Sequence, residues 1–171
     1  MRITVPQRAL STFVASALML TGVLGFTASP AQAATGTHCA NWQQKNYSPP
    51  GKHPVTVIVK VCIYSSYLGS GMYGRTPWIE YTWESAYGGV KWDNFGIRVR
   101  LENYDNDLTT DYCNFTYQMN HSTSGREICY APSWNSTSVG GFTADGHIRW
   151  NYNSDGEGDY IWSLTGSPQV S

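Results

Sequence analysis

The sequence has few charged residues and no excess of either sign. Charged residues make up 13% of the 171 residues, and 11 Lys and Arg nearly balance 12 Asp and Glu, giving a net charge of −1. Proteins that bind nucleic acids or anionic membranes by charge carry a basic stripe, and this sequence has none. We therefore expect neither nucleic acid nor, once the protein is exported, a membrane as its partner.

The sequence also lacks helical periodicity and the short motifs of common enzymes. No G-x-S-x-G, S-x-x-K, H-E-x-x-H or P-loop pattern is present, and the four histidines are scattered singly. Glu80 and Glu84 are four residues apart on one expected strand, about 13 Å, which is wider than the carboxylate pair of a glycosidase. These absences favour a non-catalytic protein, and a small hydrolase is the least favoured class.

Residues 1–33 have the pattern of a secretory signal peptide. Arg2 and Arg8 precede an apolar run, and Ala31-Gln32-Ala33 forms a small-x-small cleavage site at the right distance. The apolar run is barely long enough to span a bilayer, which disfavours a membrane anchor. The sequence therefore predicts an extracellular, secreted protein with a single domain over residues 34–171, and we expect a monomer.

The remaining chain contains four cysteines: Cys39, Cys62, Cys113 and Cys129. An even number in an exported chain predicts two disulfides, and the absence of a C-x-x-C pair disfavours a zinc site. Of the possible connectivities we favour the sequential one. Cys113 and Cys129 would then face each other across a hairpin that closes near His121, and Cys39–Cys62 would pin an irregular N-terminal segment to the first strand.

The hydrophobic pattern has a period of two residues, which is typical of half-buried β-strands. The clearest strand covers residues 54–64, and residues 78–84 and 95–102 alternate in the same way. Residues 34–53, 103–111 and 133–141 are polar and indicate connecting segments. We predict an all-β fold, an antiparallel two-sheet sandwich of about seven strands, with a small closed β-barrel as the alternative.

The C-terminal region from His147 to Thr165 has the pattern of two strands joined by an acidic loop. Trp150 would pair with Tyr160, and Ile148 with Trp162. The loop places oxygen donors at alternate positions before a glycine, as calcium loops do, which makes calcium a candidate cofactor. The candidate ligands are Asn151, Asn153, Asp155, Glu157 and Asp159.

Two features of this loop favour an ordinary hairpin turn over a calcium site. Trp162 stands where a calcium loop has its bidentate glutamate, and two of the three opening donors are neutral asparagines. Asn, Asp and Gly are also the residues that turns prefer. Calcium binding by this loop is therefore expected to be weak.

Aromatic residues are more abundant than the core of so small a domain needs, with seven Trp and twelve Tyr. Carbohydrate-binding modules with a β-sandwich fold present such side chains as flat platforms for sugar rings. The candidate ligand-binding residues are Trp78 and Glu80, on one outward strand face, and Trp92 and Trp134, in expected loops. The alternative is that these aromatics pack in the core or on the sheet surface.

These features favour a secreted, non-catalytic binding module for polysaccharide or cell-wall material, with calcium as a candidate auxiliary ion. The alternative is a secreted inhibitor or toxin-like protein whose partner is an extracellular protein. In that case the contact would be made by residues 68–76 or 135–141, which are loop-like segments on a rigid scaffold.

The export segment, the Gly-, Thr-, Tyr- and Trp-rich composition and the closing segment Trp162-Ser-Leu-Thr-Gly-Ser-Pro168 resemble small secreted proteins of actinomycetes. The resemblance covers the chain as a whole rather than a single motif. It implies export and a compact β-domain, and it implies no active site.

Overall fold

A computed structural model describes residues 35–170, so the predicted signal peptide lies outside the described residues. Ten strands and one short helix follow one another along the chain. They are β1 (Gly36–Cys39), β2 (Gln43–Tyr47), β3 (Val55–Gly69), β4 (Met72–Ser85), β5 (Trp92–Asn103), β6 (Asn106–Asn114), α1 (Thr116–His121), β7 (Ser124–Tyr130), β8 (Trp134–Ser136), β9 (Phe142–Tyr152) and β10 (Tyr160–Ser163). Within this part of the chain no helix has the length and apolar character needed to cross a membrane.

The strands form two antiparallel sheets. In sheet 1, β3 and β4 lie at the centre, β1 and β2 both pair with the outer edge of β3, and β7 and β8 both pair with β4. Sheet 2 has the order β10-β9-β5-β6. The sheets are not closed into a barrel. The predicted two-sheet antiparallel sandwich is therefore confirmed over the barrel alternative.

The core lies between the inner faces of the two sheets. The alternating apolar positions of β3 and β5 are buried, as the period of two predicts. An aromatic cluster fills one end, where the ring of Tyr47 meets Trp92 and Trp150 edge-on at 5.3 and 4.9 Å between centroids. Burial of these side chains is the main stabilising contribution to the fold.

Three strands more than the predicted seven are present among residues 35–170, because two polar segments that were expected to connect strands contain strands themselves. In the third polar segment, the strand expected to follow it begins early. Residues 34–53 include β1 and β2, residues 133–141 include β8, and residues 103–111 form a hairpin turn and most of β6. In that turn Tyr104 and Asp105 have φ angles of 48° and 62°, which suit a tight connection. Each of these short strands lies at a sheet edge, where one side chain row faces water and apolar alternation is weak.

The disulfide Cys39–Cys62 is present as predicted. The two cysteines lie directly opposite each other on β1 and β3, with a Cα–Cα distance of 4.1 Å. The bond therefore ties the N-terminal segment to the longest strand of sheet 1, as expected from the sequence.

The predicted pair Cys113–Cys129 is confirmed as well, but the hairpin expected around it is wrong. Helix α1 occupies the position of the expected turn and carries the chain from β6 in sheet 2 to β7 in sheet 1. Met119 on this helix is buried in the core, which explains why the segment folds inward. The disulfide consequently joins the two sheets, with a Cα–Cα distance of 5.8 Å, and contributes roughly 2–4 kcal/mol to stability.

We predict that replacing Tyr47 with Phe leaves the free energy of unfolding unchanged or raises it by about 1 kcal/mol. The Tyr47 hydroxyl is buried without a hydrogen-bond partner among residues 35–170, and burial raises its pKa above the ordinary value. Denaturant unfolding monitored by fluorescence measures the effect. Tyr47→Ala is the control, which should lose about 3–5 kcal/mol because it removes the ring. A loss of more than about 1 kcal/mol in Tyr47→Phe would contradict the prediction and mean that the hydroxyl is hydrogen-bonded in solution.

Candidate binding site

A shallow cleft of about 710 Å³ lies on the outer face of sheet 1. The strand alternation that buries Ile79 and Tyr81 in the core turns Glu80 and Thr82 outward into this cleft. A volume of this size suits a small ligand. The cleft is lined by Trp42, Gln43, Gln44, Ile58, Lys60, Glu80, Thr82 and Arg126.

A carboxylate between two cations forms the polar centre of the cleft. Glu80 is only 5% exposed, and its Oε1 lies 2.6 Å from Nε of Arg126 while its Oε2 lies 3.8 Å from Nζ of Lys60. The three residues are neighbours across strands. Lys60 pairs with Glu80, and Arg126 pairs with Thr82, which lies two residues along β4 on the same face as Glu80. The two cations compensate the buried carboxylate and leave one surplus positive charge at the cleft.

Trp42 forms an aromatic wall of the cleft. It lies between β1 and β2, three residues after the disulfide-bonded Cys39, and it is 49% exposed. Nζ of Lys60 lies 4.4 Å from the ring centroid, a cation–π contact that orients the indole. The sequence did not single out Trp42 as a ligand-binding residue, because its segment has no strand pattern that would place it beside Glu80.

Two of the four predicted ligand-binding residues share this face of the sheet. Trp78 is half-buried and lies two residues from Glu80 on β4, so both side chains point outward as predicted. Its ring lies next to that of Tyr130 on β7, with 6.3 Å between centroids. The two rings extend the aromatic surface beyond the cleft, toward the Cys39–Cys62 disulfide. Cys62 on β3 is the cross-strand partner of Trp78.

The other two predicted residues lie elsewhere, and both are in strands rather than in loops. Trp92 begins β5 and is 1% exposed, packed against Tyr47 and Phe95, so the expectation that it offers a face to a ligand is wrong. Trp134 begins β8 and is 40% exposed, but it pairs with Arg75 at the far end of β4 from the cleft. The core of a sandwich needs large side chains at its ends, which accounts for Trp92.

The predicted C-terminal hairpin is confirmed in its register. Trp150 pairs with Tyr160 and Ile148 with Trp162. The loop between the strands has Ser154 and Gly156 at positive φ, 61° and 72°. These are the conformations for which Asn, Asp, Ser and Gly are selected in turns.

The candidate calcium ligands in this loop are partly engaged with each other and with the sheet. Nδ2 of Asn151 donates to the carbonyl of Glu157 at 3.2 Å, and the backbone N–H of Glu157 donates to Oδ1 of Asp155 at 2.9 Å. The carboxylate of Asp159 is paired with Arg149, whose Nε lies 2.6 Å from Oδ2. Asn153 accepts a side-chain hydrogen bond from Ser154.

Two oxygens of the loop are buried without a hydrogen-bond partner in the described chain: Oδ1 of Asn151 and Oδ2 of Asp155. Calcium takes six to eight oxygen ligands, so these two atoms would be a minority of its coordination shell. Among residues 35–170 no group of three or more His, Cys, Asp or Glu side chains is arranged to hold a metal ion. Calcium binding stays a prediction.

Comparison of the sequence with models of known protein families and with curated proteins found no match. The assignment of function therefore depends on the geometry and chemistry of the chain itself. The outer face of sheet 1 carries the most complete arrangement, with an aromatic wall, a compensated carboxylate and neutral polar side chains around one cleft.

Calcium binding by the C-terminal loop predicts that the melting temperature rises in millimolar calcium and falls back when EDTA is added. A ligand that binds only the folded state stabilises it by mass action. Thermal unfolding of the oxidised protein measures this effect. Asp155→Asn should abolish the rise because it removes the negative charge of the carboxylate whose Oδ2 is buried without a hydrogen-bond partner in the described chain. Equal melting temperatures in calcium and EDTA would make residues 151–159 a hairpin turn without a metal.

Proposed function

We propose that the protein is a secreted, non-catalytic module that binds carbohydrate, as a polysaccharide or as cell-wall material, on the outer face of sheet 1. The observation that carries the proposal is the half-exposed indole of Trp42 beside the cleft that contains Glu80, Lys60 and Arg126. A sugar ring has an apolar face and a rim of hydroxyl groups. It therefore matches an aromatic platform flanked by charged and amide side chains.

The polar groups of the cleft are suited to hydroxyl groups because they include both donors and acceptors. Glu80 accepts, Lys60 and Arg126 donate, and Gln44 and Thr82 do both. The ion pairs hold the charged groups in place before a ligand arrives, so less side-chain entropy is lost on binding. Preorganisation of this kind favours a binding site even where the cleft is shallow.

The aromatic surface continues past the cleft along the direction of β4. Trp78 and Tyr130 lie on the same face, one outward position beyond Glu80 and Ile128. The outward positions of one strand are about 6.6–7 Å apart, so the two aromatic areas are neighbours. This arrangement supports a chain of sugar units as the ligand more than a single sugar.

Two disulfides support an extracellular location for this activity. Cys39–Cys62 and Cys113–Cys129 account for all four cysteines, and such bonds persist in oxidising compartments. Cys39–Cys62 also anchors the segment that carries Trp42, so the bond is expected to support the proposed site directly.

We expect Trp42→Ala and Trp78→Ala to weaken binding to insoluble polysaccharides or cell-wall preparations roughly three- to tenfold each, since an aromatic contact contributes about 0.5–1.5 kcal/mol. Pull-down assays with the purified protein measure the bound fraction, and tryptophan fluorescence gives the affinity for soluble oligosaccharides. Trp134→Ala is the matched control, because it removes an exposed indole from the same sheet but outside the cleft.

Equal loss in all three variants would point to a general effect on the fold, which the melting temperature of each variant detects. Unchanged binding in Trp42→Ala with an intact fold would contradict the proposed site. Absence of binding to every glycan and wall fraction would contradict the proposed function.

A second candidate function, a secreted inhibitor that acts on a protein partner, is favoured by the tip of the β3–β4 hairpin. Tyr67, Leu68 and Met72 are exposed there on a projecting turn. Exposed apolar side chains on a rigid hairpin are typical of contact loops. The double variant Leu68→Ala/Met72→Ala should abolish inhibition of a secreted protease by the protein and leave glycan binding unchanged. A panel of secreted proteases without any inhibition would contradict this candidate.

A further inference from the structure

A second pocket, of about 430 Å³, lies on the outer face of sheet 2, on the opposite side of the sandwich from the cleft. Arg98 on β5 pairs with His147 on β9 and with Tyr112 on β6, so three side chains form one row across the sheet. The pocket is lined by Arg98, Thr110, Asp111, Tyr112, His147 and Arg149.

The sequence builds the floor of this pocket with a glycine. Gly96 lies two residues before Arg98 on β5, and the ring of Tyr112 occupies the space that a side chain at this position would fill. The Tyr112 hydroxyl donates a hydrogen bond to Oδ1 of Asn94 at 3.2 Å. The ring therefore lies against the sheet and leaves the area between Arg98 and Arg149 open.

The cations on this face differ in how far carboxylates compensate them. Arg100 lies within 3.5 Å of three carboxylates, those of Glu102, Asp107 and Asp145. Arg98, by contrast, has a neutral hydrogen-bond partner, the Thr110 hydroxyl at 3.0 Å from Nε, and its nearest carboxylate oxygen lies 4.0 Å away. Carboxylates therefore compensate the positive charge of Arg98 less than that of Arg100.

Arg149, on the other side of the pocket, is only partly engaged. Its Nε and Nη2 contact Asp159, and Nη1 makes no hydrogen bond within residues 35–170. One carboxylate, Asp111, faces the pocket, and its Oδ1 accepts the backbone N–H of Tyr112 at 2.7 Å. Asp111 and Asp159 balance the two guanidinium charges. Within residues 35–170, however, Nη1 of Arg149 and both Nη atoms of Arg98 make no hydrogen bond, so these donors are available to a ligand.

His147 neighbours both arginines, Arg98 across the β5–β9 pair and Arg149 two residues along β9, and its environment disfavours a positive charge. Burial is the main cause that lowers the pKa of His147. The positive charges of Arg98, Arg100 and Arg149 lower this pKa further, and the negative charge of Asp145 raises it. On the neighbouring strand β10 the residue opposite His147 is the uncharged Ser163. The charged groups that face the imidazole are Arg98 and Arg100 from β5, Asp145 and Arg149 from β9 itself, and Asp111 from β6. Of these causes, the neighbouring arginines are the ones that would also attract an anion.

We propose that this pocket binds an oxyanion, a sulfate, phosphate or carboxylate group, between the guanidinium groups of Arg98 and Arg149 with the imidazole of His147 beneath it. Guanidinium groups bind planar oxyanion edges through charge-assisted hydrogen bonds. The neutral imidazole donates one N–H, and the protonated ring donates two. Binding of the anion and protonation of His147 therefore strengthen each other.

The ionisation of His147 provides the test, because it reports occupancy of the pocket directly. The pKa of the ring is measured by NMR titration of the purified protein in sodium sulfate and in sodium chloride at equal ionic strength, with His147→Gln to assign its resonances. We expect sulfate to raise the pKa by roughly 0.5 pH unit, and sulfate affinity to increase as the pH falls through that pKa. The same pKa in both salts would overturn the proposal.

Two variants separate a specific site from a general effect of positive charge. Arg98→Gln should raise the His147 pKa in chloride, because a repelling cation is gone, and should abolish the extra rise in sulfate. Lys52→Gln removes one exposed cation outside the pocket and should change neither value. Equal sulfate effects in the protein and in Arg98→Gln would overturn the proposal as well.

The source of the oxyanion is distinguished by comparing sulfate with a monosulfated disaccharide in the same titration. A stronger effect of the disaccharide identifies a sulfated or acidic polysaccharide as the ligand, and an equal effect identifies the free anion. Both titrations report on the pocket on sheet 2 and not on the cleft on sheet 1. Their outcome can therefore be interpreted even if the protein does not bind carbohydrate at the cleft.

Discussion

The packing of the two inner sheet faces against each other is the constraint on which the rest of the structure depends. The apolar rows of β3 and β4 in sheet 1 face those of β5 and β9 in sheet 2, and aromatic rings close one end around Tyr47. Antiparallel sheets with one apolar face are stable only when that face is covered by another element. The Cys113–Cys129 disulfide adds a covalent tie across the same interface.

The same alternation that fills the core also decides which side chains are available for binding. Glu80 lies between two buried residues of β4, and Arg98 lies between two buried residues of β5. Because successive side chains point to opposite faces, both are directed onto outer surfaces. The two proposed sites are therefore products of strand alternation, and they lie on opposite sides of the sandwich, one on each sheet.

Both sites depend on pairing between strands as much as on the strands themselves. Lys60 and Arg126 reach Glu80 because β3 and β7 flank β4 in one register, and His147 reaches Arg98 because β9 pairs with β5. A shift of one residue in either pairing would send one partner to the other face. The buried rows hold these registers, so core packing and site geometry are coupled.

The amino-acid sequence alone determined the strands with strong alternation, their buried faces and the register of the C-terminal hairpin. These features follow from local spacing, which period-two patterning makes visible. Only the tertiary structure decided that Trp92 is a core residue, that Cys113–Cys129 joins the two sheets and that Trp42 lies beside Glu80. Each depends on which strand neighbours which, and that choice is made by contacts between residues far apart in the chain.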